Sequence, residues 1–177
     1  RRFDRPRRTR DDRERPLLEG VFQPARDYVA HESPWATAVA DLNHDGMVDI
    51  AVANFGSNDV SVLLNAGDGT FAEPLQYPAG RNPSGVAIAD LNGDGSPDIV
   101  ASNFQDLSVS FFFNKGAGTF GEKLDVAIET APQMVAATDL DADGKPDGIF
   151  SGDGDFWGIN SVGVIFNREV VFSDVTH

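Results

Sequence analysis

The sequence predicts an all-β protein made of β-propeller blades: three four-stranded antiparallel blades plus one orphan strand, a partial propeller. Two observations carry this expectation. The chain repeats itself at a constant step of 49 residues, and each repeat holds four short apolar runs punctuated by Gly, Asp, Asn and Pro. No stretch sustains the 3.6-residue period of a helix.

The step is clearest in three acidic segments, Asp41-Leu-Asn-His-Asp-Gly-Met-Val-Asp49, Asp90-Leu-Asn-Gly-Asp-Gly-Ser-Pro-Asp98 and Asp139-Leu-Asp-Ala-Asp-Gly-Lys-Pro-Asp147. It also relates Pro34, Pro83 and Pro132, then Ala38, Ala87 and Ala136, and Phe22, Phe71 and Phe120. Asn65 maps to Asn114. A single offset shared by unrelated residue types means one supersecondary unit used three times. A four-stranded unit of this size, repeated, is the sequence sign of a propeller blade.

Each element then has its place. Residues 1–16 hold eight arginines against four acids and little to bury, which predicts a disordered basic tail. Residues 17–30 match the fourth strand of a preceding blade, with Phe22 and Tyr28 in register with Phe71 and Tyr77. Blade 1 spans 31–79, blade 2 spans 80–128 and blade 3 spans 129–177. The first strands, Thr37–Ala40, Val86–Ala89 and Val135–Thr138, are small and apolar, as crowding at a central channel demands. The second strands are Ile50–Ala53 and Ile99–Ser102. The bulkier third strands are Val60–Leu64, Val109–Phe113 and Val162–Phe166. After a Gly-rich turn, the fourth strands are expected to begin at Phe71 and Phe120. Blade 3 is atypical: four residues are inserted before Asn167, and Arg168–Phe172 replaces the Gly-rich turn.

The acidic segments follow the pattern Asp-x-Asn/Asp-x-Asp-Gly-x-x-Asp. Oxygen ligands would come from Asp41, Asn43, Asp45 and Asp49, from Asp90, Asn92, Asp94 and Asp98, and from Asp139, Asp141, Asp143 and Asp147. Met47, Ser96 and Lys145 would add a backbone carbonyl each. A tight turn with oxygens at this spacing suits Ca2+, at about three sites in all; Mg2+ demands stricter octahedral geometry and keeps its waters. Gly46, Gly95 and Gly144 stand where such a turn needs a positive φ. An EF-hand is excluded. Its twelfth position would need Glu and here holds Val52, Ala101 and Phe150.

The segment VADLNHDGMVDIAVANFGSNDVSVLLNAGDGTF, residues 39–71, resembles an FG-GAP-like or VCBS repeat. Integrin α-subunit heads, some fungal lectins and many bacterial secreted proteins are similar in this respect. The resemblance covers about residues 20–172 and implies a propeller, usually seven-bladed, with calcium between the first two strands of a blade. The Phe-Gly signature occurs as Phe55-Gly56, while the middle repeat has Phe104-Gln105.

Function classes narrow accordingly. A formal charge of −14 argues against a nucleic-acid partner. The absence of cysteine removes disulfide and thiolate chemistry. No run of about 18 apolar residues is present to span a membrane. No signal peptide is visible, and the chain starts at Arg1 rather than Met, as a processed or truncated product would. There is no Gly-x-Ser-x-Gly elbow or phosphate-cradling loop, and no enzymatic activity is expected. The expectation is an extracellular or cell-surface calcium-binding module for adhesion, or for recognition of a glycan or protein. Trp35 and Trp157 are the candidate ligand contacts because they stand outside the repeat register. Two rivals stay open: the non-catalytic propeller of a secreted polysaccharide-active enzyme, and a purely structural repeat. Three blades do not close a ring. Either the rest of a longer chain, or a homo-oligomer, or an open array completes the architecture.

Overall fold

The computed structural model describes residues 25–153 and 161–168. Among them all regular structure is β, in three antiparallel sheets. Sheet 1 runs β1 (Pro34–Ala40), β2 (Asp49–Asn54), β3 (Asp59–Leu63) and β4 (Leu75–Pro78), each paired with the next. Sheet 2 repeats the order with β5 (Pro83–Ala89), β6 (Asp98–Asn103), β7 (Ser108–Phe112) and β8 (Leu124–Ala127). Sheet 3 has β9 (Ala131–Thr138), β10 (Asp147–Asp153) and β11 (Ser161–Ile165). These are the blades of a partial propeller.

Side-chain alternation gives each sheet two faces, and the middle sheet buries both. Ile99, Ala101 and Phe112 face sheet 1 and join Ala51, Ala53, Val60 and Val62 in one core. Val100, Val109 and Phe111 face sheet 3 and meet Phe150, Val135 and Ile165 in a second core. Consecutive phenylalanines on β7 therefore serve different interfaces. The first strands lie innermost, β5 between β1 and β9. Small residues are required there: a Cβ on Gly85 would sit 2.8 Å from the Val135 nitrogen and 2.9 Å from the Met134 Cα.

The fourth strands begin later than expected. Phe71 and Phe120 make single bridges, to Asn65 and Asn114, and the ladders start at Leu75 and Leu124. The reason is the turn itself, which closes on its own backbone through Ala66 N–H to Thr70 O and Ala72 N–H to Leu64 O. Phe120 is consequently directed into the core, where it meets Tyr77 edge to face at 5.3 Å. Tyr28 meets Phe71 in the same way at 5.1 Å. Of the strand expected over residues 17–30, residues 25–30 form none, and residues 17–24 lie outside the described residues. The basic tail, Phe22, Trp157 and the segment after Arg168 lie outside the described residues.

Candidate metal centre

The three Asp-rich loops join the first and second strands of their sheets, β1 to β2, β5 to β6 and β9 to β10. Each loop is wound around its first aspartate. Asp41 Oδ2 accepts the Gly46 N–H at 2.9 Å, and Asp90 and Asp139 accept Gly95 and Gly144 at the same distance. The fifth position turns the chain again: Asp45, Asp94 and Asp143 accept the N–H of Met47, Ser96 and Lys145 at 2.7, 2.7 and 2.9 Å. The glycines at position 6 have φ of 85°, 87° and 88°. Position 4 is also left-handed, at His44 (61°), Gly93 (74°) and Ala142 (63°). No residue pattern announces this, because three unrelated residues occupy the position.

Asp49, Asp98 and Asp147 are fully buried. One oxygen of each accepts the N–H of the leucine at position 2 of its loop, Leu42, Leu91 and Leu140, at 2.8, 3.0 and 2.9 Å. The other accepts the N–H of Asn65, Asn114 and Asn167 at 2.8, 2.8 and 2.9 Å. Burial pushes the Asp98 carboxyl up, against those two N–H groups. Asp94 is held below the usual carboxylate range by the Ser96 N–H and then by the Asn92 amide.

In the third loop Asp139, Asp141 and Asp147 each place an oxygen within 4.8 Å of the others. That is the separation two calcium–oxygen bonds of about 2.4 Å can span. The donor set therefore fits a hard cation. Arg168 approaches Asp141 through Nε and Nη2 at 3.1 and 3.0 Å, with its guanidinium 4.5 Å from the centre of the Phe166 ring. In the first two loops an amide replaces the carboxylate at position 3. Asn43 and Asn92 each donate from Nδ2 to the aspartate at position 5 at 2.9 Å, and each accepts that residue's N–H on Oδ1.

The loops are tied to one another by residues whose type and spacing announce no such role. Asn114 Nδ2 donates to the Leu42 carbonyl of the preceding loop at 2.8 Å, and Asn167 Nδ2 to that of Leu91 at 2.5 Å. Together with the buried aspartates these bonds make a continuous relay: Asp49, Leu42, Asn114, Asp98, Leu91, Asn167, Asp147, Leu140.

Trp35 stands apart from this centre. It is the second residue of β1, whereas the Asp41 loop follows the end of that strand. The residue is 67% exposed, and its ring rests on Phe55 with centroids 5.0 Å apart. His31 pairs with Asp59 at 2.5 Å and His44 lies in the first loop, so the two described histidines serve different places.

A family model described as FG-GAP-like repeat matches residues 41–101 and again residues 90–150, together more than half of the chain. No curated protein matches the sequence.

Proposed function

From the premise that the chain belongs to the FG-GAP-like repeat family, we propose that it is an extracellular calcium-binding scaffold, without catalytic activity, that presents a surface for adhesion or for recognition of a glycan or protein. The convergence of Asp139, Asp141 and Asp147 carries the calcium reading. In its support, the same Asp-x-Asn/Asp-x-Asp-Gly turn recurs with matching backbone bonds in all three loops. The residues that would hold the ions are those at positions 1, 3, 5 and 9 of each loop, with the position-7 carbonyls of Met47, Ser96 and Lys145. A bound calcium would supply charge neutralisation and fix the loop. An ion that binds only the folded form stabilises it by about 4 kcal/mol per site at a thousandfold excess over Kd. Millimolar extracellular calcium suits sites of this kind.

Thermal unfolding with calcium and then with a chelator tests the reading. A rise in Tm with calcium that magnesium does not reproduce is the expected result. An identical Tm in calcium and chelator would sink it. The exposed Trp35 favours a flat, ring-bearing ligand at the opposite end of sheet 1. Retained glycan-array binding in Trp35→Ala would remove that site from the reading.

A further inference from the structure

An empty loop of this kind has to hold its own carboxylates together, and the three loops do so in two ways. The first two hold three carboxylates each, and the third holds four with Lys145 among them, so the formal charge is −3 in every loop. In the first two, the position-3 carboxamide folds back into its own loop. Asn43 and Asn92 accept the N–H of Asp45 and Asp94 at 3.1 and 2.9 Å and donate to the carboxylates of those residues at 2.9 Å. Asp141 has no amide hydrogens to give. Among the described residues its hydrogen bonds come from Arg168 alone, both onto Oδ2.

Arg168 lies outside the loop. It follows Asn167, whose N–H is bound to the buried Asp147 and whose carboxamide holds the Leu91 carbonyl. The cation is therefore brought to the third loop by backbone already fixed to that loop's own ligand, and its guanidinium rests on the Phe166 ring. The residues that follow Asn65 and Asn114 in the same way are Ala66 and Lys115. Ala66 carries no charge. Lys115 runs over Gly121, its Cε 2.7 Å from the place a Cβ would take there. Among the described residues, no arginine or lysine pairs with a ligand carboxylate of the first two loops.

On the calcium reading of the loops, we propose that Arg168 is a built-in competitor at the third site: its guanidinium takes the place of the ion on Asp141 while the loop is empty and is displaced when calcium binds. Filling the site breaks the ion pair. A guanidinium and a dication also repel at this range, whichever oxygen of Asp141 the ion takes. The third site thus fills at a calcium concentration about two- to fivefold higher than its ligands alone would set, the worth of an exposed ion pair. The affinity of the loop is tuned by a residue that the loop motif does not contain.

Calcium titration of the full chain, labelled for amide NMR, tests this. Gly46, Gly95 and Gly144 each donate an N–H to the first ligand of their loop, so their resonances report the three sites separately. Arg168→Gln is expected to lower the Gly144 midpoint by about two- to fivefold and to leave those of Gly46 and Gly95 in place. Lys115→Gln removes the same charge at the same place of the preceding repeat without breaking an ion pair, and should leave Gly95 unmoved. In Asp141→Asn, the Arg168→Gln change should lose its effect. An unchanged or raised Gly144 midpoint in Arg168→Gln overturns the proposal, since Arg168 would then steady Asp141 rather than compete for it. So does an equal shift of all three glycines, or a Gly144 shift that persists undiminished in Asp141→Asn. Wild-type glycines that do not move up to about 10 mM calcium remove the calcium reading itself, and this proposal with it.

Discussion

Two residues in each Asp-rich loop hold left-handed backbone, and their identities decide what the loop costs. Gly95 has φ 87° with nothing within 4 Å of the place a side-chain methyl would take, so its role is conformational rather than steric. Gly95→Ala is expected to destabilise by about 1–2 kcal/mol, the cost of an L-residue in that region. Ala142 already bears such a cost at φ 63°, and Ala142→Gly should stabilise by up to about 1 kcal/mol. Urea unfolding in chelator reads both, and equal midpoints for the two variants would contradict the assignment. Here the sequence was half legible. Position 6 is glycine three times and announced its φ. Position 4 is His, Gly and Ala, and only backbone geometry shows that the three share a conformation.

Between neighbouring sheets, an asparagine at the end of the third strand works as a latch. Asn65 and Asn114 have the same local bonds: N–H to the buried aspartate, Nδ2 to the residue before it, Oδ1 from the glycine two residues on. Asn114 differs by its bond to Leu42 O. Asn114→Ala should therefore cost more than Asn65→Ala by about 0.5–1.5 kcal/mol, the net worth of one further hydrogen bond. Chemical denaturation of the two variants gives this difference directly, and equal losses would mean that the inter-sheet bond contributes nothing. The 49-residue register paired these asparagines but could not reveal the latch, because Leu42 and Asn114 are matched across repeats rather than by period. The strands were legible to within a few residues. The fourth strands were misplaced because Phe71 and Phe120 look like strand residues but make only single bridges behind a closed turn, Phe120 with its ring in the core.

At the scale of the molecule, β7 divides its side chains between two cores, Phe112 toward sheet 1 and Phe111 toward sheet 3. Either change to Ala should cost about 3–5 kcal/mol. Their hydrogen-exchange signatures should differ: Phe112→Ala should speed exchange mainly in β2 and β3, Phe111→Ala mainly in β10 and β11. The same pattern for both would mean that the stack opens as one unit rather than sheet by sheet. The repeat made the stacking order legible, since identical units can bury their faces only on one another. What covers the two end faces was not legible, because a repeat has the same sequence signature wherever the array stops.

The relay of aspartate, leucine and asparagine bears on how such a chain can be inherited. Each of its inter-sheet bonds joins one unit to the next, so duplicating or losing a whole unit of 49 residues leaves every bond a partner. Loss of residues 66–114, for instance, would bring Asn167 opposite Leu42, in the place Asn114 now holds. A single-residue deletion within a strand, by contrast, would turn the rest of that strand over and present its polar face to the core. The array can thereby lengthen or shorten by whole sheets without orphaning an inter-sheet bond, while insertions such as the four residues before Asn167 fall outside the relay.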